Sequence, residues 1–265
     1  MQEIVAIASP PTLGDVPSLL ALAVVGAVAS GINAVAGGGS LLSFPALMGF
    51  GVPALEANAT NTLALWPGQI SGSLGFLNQL SRLKKTLLAM LLPSVLGGAA
   101  GAFLLVSTPA RAFKLIVPAL VLLATVLLAL QPRIRRWSLE RRRHLPVYAG
   151  VLLQLAVGVY GGYFGAGMGI LMLAILGVMT DGTLHELNAV KGWLGLLINL
   201  VASALFLVQG LVVLWPGLAM MVGAIAGGYY AARLSQRIDP EKLRRAIVAL
   251  GFVMTGWFTY QVLRG

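Results

Sequence analysis

The chain has 265 residues, of which 58% are hydrophobic and 10% charged, with a net charge of +10 and a mean hydropathy of +0.90. A water-soluble domain carries roughly a quarter charged residues, so this composition excludes one. The lack of cysteine also excludes a disulfide framework and thiolate metal sites.

The amino-terminal stretch MQEIVAIASPPTLGDVP has no basic n-region, so the first apolar run is expected to stay in the mature protein. Apolar pieces then follow at about 17–36, 40–50, 54–77, 86–106 and 111–131, and again at about 147–164, 168–180, 184–208, 211–233 and 242–262. Several approach or exceed the roughly 20 residues that cross a bilayer as a helix. The expected fold class is therefore an all-α polytopic membrane protein.

Between the first two pieces stands NAVAGGGSLLSFP, residues 33–45. Consecutive glycines destabilise a helix by about 1 kcal/mol each, and the piece after them is too short to cross, since about 11 residues rise only about 16 Å. The spacing predicts that Gly37, Gly38 and Gly39 turn the chain inside the membrane and that Ser40 starts a short helix there. Such a turn leaves free N–H groups and a positive dipole end, for which an anion is the natural occupant. GGYFGAGMG at 161–169, with Gly167 and Gly169, would make the same turn in the second half. The competing reading of these glycines is close helix packing, which suits GGAAG at 97–101 and its counterpart GAIAG at 223–227. Whether those motifs pack within one chain or between chains stays open.

The positive charge sits between the apolar pieces, in SRLKK at 81–85, in RIRRWSLERRRH at 133–144, and in Arg233, Arg237, Lys242, Arg244 and Arg245. Short loops rich in Lys and Arg stay on the cytoplasmic side. These clusters read as topology determinants touching anionic lipid, and nucleic acid is not an expected partner.

A shift of 130 residues lays Gly37 on Gly167, Gly39 on Gly169, Glu56 on Glu186, Asn58 on Asn188, and Gln69 on Asn199. The chain reads as a duplicated five-segment unit, with residues 1–131 as the N-terminal repeat, 132–146 as a basic cytoplasmic linker, and 147–265 as the C-terminal repeat. The third piece of the first half runs into SRLKK, whereas its counterpart runs into the uncharged VQG, so the repeats are expected to be inverted with both termini outside. Inverted repeats with interrupted helices are the architecture of secondary transporters, whose substrate site lies near midplane.

The third piece of each half supplies polar groups. Asn58, Asn61, Thr62 and Gln69 recur at spacings of three, four and seven, which puts them on one helical face. The counterpart face carries Asn188, Lys191, Gly192 and Asn199. Lys191 takes the position of Asn61 and breaks the symmetry with one positive charge, making it the foremost candidate for an anion ligand; a lysine snorkelling from a helix end is the alternative. The amides could simply hold helices together. Glu56 and Glu186 are candidates for proton coupling, set against a capping role suggested by PALE at 53–56 and TLHE at 183–186. His185 reads as interfacial. No HExxH, no paired membrane aspartates and no Ser/His pair occur within the spans, so metal or nucleophilic catalysis lacks its parts and no enzyme activity, metal or cofactor is expected.

The stretch NAVAGGGSLLSFPALMGFGVPALEANATNTLALWPGQISGSLGF, followed by the degenerate copy GGYFGAGMGILMLAILGVMTDGTLHELNAVKG, resembles the TauE/SafE sulfite exporter family, also described as toluene-sulfonate uptake permeases. The resemblance covers essentially the whole chain. Gly37 to Ser40, Pro45, and Ala57 to Thr62 fit the family pattern; Val35, Met168 and Ile175 depart from it. The resemblance implies movement of sulfite, an organosulfonate or a related small anion across the inner membrane, linked to a proton or other ion gradient. A passive anion channel built on the same turns and lysine is the alternative.

Overall fold

The computed structural model describes residues 10–35, 38–74, 82–140, 146–234 and 239–264. Gly37 lies outside the described residues. Among those described, the chain forms ten α-helices and no strand: α1 (Val16–Val35), α2 (Ser40–Gly49), α3 (Ala54–Leu74), α4 (Lys84–Ser107), α5 (Ala110–Glu140), α6 (Val147–Tyr163), α7 (Met168–Met179), α8 (Leu184–Val208), α9 (Leu214–Leu234) and α10 (Pro240–Arg264). Helices α1, α4, α5, α8 and α10 contain segments long and apolar enough to cross a membrane. At 1.5 Å per residue, α2 and α7 rise only about 15 and 18 Å, half of the roughly 30 Å hydrocarbon core.

Several helix starts are written locally. Thr183 and Glu186 form a capping box on α8, with the Glu186 N–H donating to Thr183 Oγ1 at 3.3 Å and the Thr183 N–H to Glu186 Oε2 at 2.7 Å. Asp239 Oδ1 accepts the amides of Glu241 at 2.9 Å and Lys242 at 3.4 Å, and Pro240 takes the first position of α10. Helix α5 departs from the sequence expectation. It continues through Pro132 to Glu140, so residues 132–140 are helical where a linker was expected. A proline inside a helix removes one hydrogen bond and is accommodated by a bend, and the Arg, Leu and Glu that follow are good helix formers.

Small residues set the tightest packing. Helix α1 lies along α9, where a Cβ on Gly223 or Gly227 would strike the carbonyl oxygen of Ala23 or Ala27. Helix α4 lies along α6 in the same way, and a Cβ on Gly101 or Gly162 would strike the carbonyl oxygen of Val159 or Gly98. Both GGAAG and GAIAG therefore pack within the chain, backbone against backbone, as small-residue helix contacts in lipid do. Among the further pairings are α3 with α9, α4 with α8, α5 with α7, α2 with α10, α3 with α8, and α5 with α10.

The outer surface is apolar. Leu20 (63% exposed), Leu92 (65%), Phe103 (66%), Val222 (67%) and Val253 (63%) project from four different helices, far more apolar exposure than water tolerates on a monomer. Lipid is the solvent that satisfies such a surface, and the protein is a multi-pass membrane protein.

Gly38, before α2, and Gly167, before α7, come to one place. Gly38 and Gly167 hold positive φ angles of 86° and 82°, which glycine adopts without steric cost. A Cβ on Gly38 would lie 2.8 Å from Leu128 Cδ2, and one on Gly167 would lie 3.4 Å from Leu127 Cδ1. Gly38 and Gly167 thus seat on consecutive residues of α5.

Candidate functional site

Above that seat the helices enclose a cavity of about 380 Å³. Of the residues singled out in the sequence, Gly38, Ser40, Asn61, Thr62 and Gln69 line it from the first half, and Gly167, Gly169, Asn188, Lys191 and Asn199 line it from the second. Helical spacing explains the grouping, because α3 and α8 each turn one polar stripe toward the other.

Lys191 Nζ donates to Asn188 Oδ1 at 2.8 Å, one helical turn back on α8. Its aliphatic stem crosses the start of α7, where a Cβ on Gly169 would lie 3.3 Å from Lys191 Cδ. Residue 169 is thus a seat for the lysine. The Gly169 N–H, in the first turn of α7, has no hydrogen-bond partner among the described residues. A cation and an unpaired helix-start amide therefore stand side by side at the cavity wall, while none of the described residues lining the cavity is Asp or Glu. Such a wall favours negative charge.

The first-half groups are more committed to internal bonds. Ser43 Oγ donates to Asn61 Oδ1 at 2.5 Å, which leaves the Asn61 amide hydrogens as donors. Thr62 Oγ1 donates its proton to the Asn58 carbonyl oxygen at 2.9 Å, so this hydroxyl offers the cavity lone pairs and no hydrogen. Asn199 Nδ2 and Gln69 Oε1 approach to 3.5 Å across the α3–α8 seam. The Gly39 N–H donates to Asn33 Oδ1 at 2.7 Å, tying the start of α2 back to α1.

Several sequence candidates stand outside the cavity lining. Asn58 is buried and its Nδ2 donates to the Tyr163 carbonyl oxygen at 2.9 Å, a tie between α3 and the end of α6. Gly39 is packed against the Ala29 carbonyl and the Asn33 side chain. Glu186 is occupied by its capping box and by Arg82, whose Nη1 lies 3.5 Å from Oε1. Glu56 sits in the first turn of α3, with Oε2 buried and unpaired among the described residues.

The cavity also contains residues that the sequence reading does not single out. Ser30 and Asn33 enter from α1, and Gln131 and Arg135 from α5. By sequence, Arg135 falls in the basic linker. The signal that could have found it is the four-residue spacing of Leu127, Gln131 and Arg135, which puts them on one helical face once α5 is known to continue past Pro132. Phe164, also in the lining, is backed edge-on by Phe44 at 5.6 Å between ring centroids, and Phe44 by Phe258 at 6.0 Å. No cluster of three metal-ligating side chains occurs among the described residues.

Comparison with known proteins gives a consistent picture. The family profile described as Sulfite exporter TauE/SafE matches residues 22–258. The chain is 31% identical over 243 residues to a probable membrane transporter protein of Haemophilus influenzae, covering 89% of this chain and 95% of the relative. It is 29% identical over 240 residues to the probable membrane transporter protein YfcA of Escherichia coli K12, covering 89% and 87%. A probable membrane transporter protein, ORF9, of a Sinorhizobium species is 31% identical over 239 residues, covering 88% and 90%. No solved structure matches the chain.

Proposed function

The chain belongs to the TauE/SafE sulfite exporter family, a membrane transporter rather than an enzyme, and from that premise we propose that it carries a small oxyanion, sulfite or an organosulfonate, across the cytoplasmic membrane by alternating access. The anion is held near midplane by Lys191, the Gly169 amide and the amides of Asn61, Asn188 and Asn199. The observation that carries this reading is the cavity itself: a lysine and a helix-start amide in one wall, with no carboxylate among the described lining residues to cancel them.

Alternating access rests on the two halves being inverted repeats. Exchanging α1–α5 for α6–α10 turns the α1–α9 contact into α6–α4, α3–α9 into α8–α4, and α5–α7 into α10–α2, all of which occur. The α3–α8 and α5–α10 contacts map onto themselves. Gln69 and Asn199, equivalent at the 130-residue shift, approach each other, as residues on a two-fold axis do. The seating of both glycine-bearing connections on Leu127 and Leu128 supports two half-helices starting at one depth. Rocking one repeat against the other would then open the shared cavity to each side in turn. The basic ends of α5 and of the 81–85 segment orient both termini outward.

The test is sulfite flux in proteoliposomes with and without an imposed pH gradient, comparing wild type with Lys191→Ala. The expected result is saturable flux with counterflow that responds to the gradient and falls at least tenfold in the variant, since a hydrogen bond to a charged group is worth about 1.5–3 kcal/mol. Flux without saturation or counterflow would make the protein a channel. Saturable flux unaffected by the substitution would return Lys191 to a snorkelling role.

A further inference from the structure

We infer that Arg135 is a second substrate cation: it receives the anion at the basic mouth of the cavity and, together with Lys191, makes the site prefer doubly charged over singly charged oxyanions. This deepens the transporter reading and rests on it for the direction of entry.

The basic cluster at 133–144 has an ordinary explanation as a topology signal, and that explanation would treat its arginines alike. The structure does not. Arg133, Arg135 and Arg136 are all exposed, yet of these three only Arg135 lines the cavity. Leu127, Gln131 and Arg135 follow one another at four-residue steps along α5. Leu127 sits against the Gly167 turn, and Gln131 and Arg135 line the cavity. That face climbs about 12 Å over eight residues, from the level of the α7 start to the basic end of the helix. Its two polar members, Gln131 and Arg135, line the same cavity as Lys191.

Arg135 makes no hydrogen bond or ion pair among the described residues, so its guanidinium is not already engaged by a structural partner there. With no Asp or Glu among the described lining residues, Lys191 and Arg135 face the cavity as unneutralised side-chain cations. Each charge on an occupant interacts with both, so a dianion gains about twice the attraction of a monoanion of equal size. A planar five-donor fork also suits the oxygens of a sulfur oxyanion better than an ammonium does.

The experiment uses wild type, Arg135→Gln and Arg135→Lys, with two probes: sulfite near neutral pH, where much of it is the dianion, and methanesulfonate, a monoanion. Binding is read as thermal stabilisation of the purified protein against probe concentration, and flux is read in oriented proteoliposomes from each face. Arg135→Gln is expected to raise the sulfite KM about five- to tenfold from the basic face, because it removes a charge-assisted hydrogen bond from a partly screened site, with a smaller change in maximal rate. It should narrow the preference for sulfite over methanesulfonate, and Arg135→Lys should restore most of both. Sulfite flux and binding with unchanged KM and unchanged preference in Arg135→Gln would overturn the inference while leaving the transporter standing. Sulfite binding that weakens in Arg135→Gln without any flux would retain the cation site and overturn the transporter reading. Neither binding nor flux of sulfite by wild type would overturn both the Arg135 site and the assignment of sulfite as substrate.

Discussion

Gly169→Ala moves a side chain of the site without touching its charge. Residue 169 lies in the first turn of α7 and has no positive φ, so alanine fits the backbone and should favour the helix by up to about 1 kcal/mol. The new methyl would lie 3.3 Å from Lys191 Cδ, 3.8 Å from Cε and 3.9 Å from Cγ. Carbon pairs rest at about 3.5–4.0 Å, so the lysine stem must slide by a few tenths of an ångström. It can do so, being a flexible chain rather than backbone. The ammonium at its end is positioned by one bond of 2.8 Å to Asn188, and a slide loosens that bond. A partial loss of a charged hydrogen bond, about 1 kcal/mol, corresponds to about fivefold in KM. The expected outcome is therefore opposite in sign for the two readouts: equal or higher thermal stability in detergent, with a sulfite KM about fivefold higher in proteoliposomes. Unchanged KM would refute the placing of the Lys191 stem over α7. Lower stability would refute the claim that only the lysine has to move.

Two further predictions address the scaffold. Gly162→Val forces carbon atoms against the Gly98 carbonyl and the Ala102 amide, both backbone, and should lower stability by about 1–3 kcal/mol as overpacking does; denaturation in mixed detergent micelles measures it, and a wild-type midpoint would show that α4 and α6 do not touch there. Thr183→Ala removes the hydroxyl of the capping box and should cost about 1 kcal/mol of stability, whereas Glu186→Gln keeps a side-chain acceptor for the Thr183 amide and should leave the response of flux to a pH gradient intact. A gradient response abolished in Glu186→Gln would instead make Glu186 a proton-coupling group.

Much of the architecture was legible because hydrophobic length and glycine position are local signals. Apolar runs of about 20 residues dictate helices in lipid, where every backbone polar group must be satisfied within its own segment. The ten pieces read from the sequence match the helices α1 to α10 to within a few residues at most ends. The largest difference is at the end of α5, which runs on as helix to Glu140 into the basic segment expected over 132–146, because arginine alters solvation without opposing helix formation. The polar stripes of α3 and α8 were equally visible, since one helix carries its own periodicity.

Composition and periodicity along the chain thus suffice for the solvent, the helices and the faces of α3 and α8, and its motifs for the family to which the chain belongs. Which polar groups are free was decided only by tertiary structure. Thr62 gives its proton to Asn58, Asn58 commits its amide to Tyr163, and Glu186 is held by Thr183 and Arg82, whereas Gly169 keeps an unpaired N–H among the described residues. Arg135 joins the site only because α5 carries it, two turns beyond Leu127, along the wall of a cavity that α1, α2, α3, α7 and α8 also build. A residue's type states what it can donate. Its neighbours, brought from positions as far as 153 residues away, decide what it has left to give.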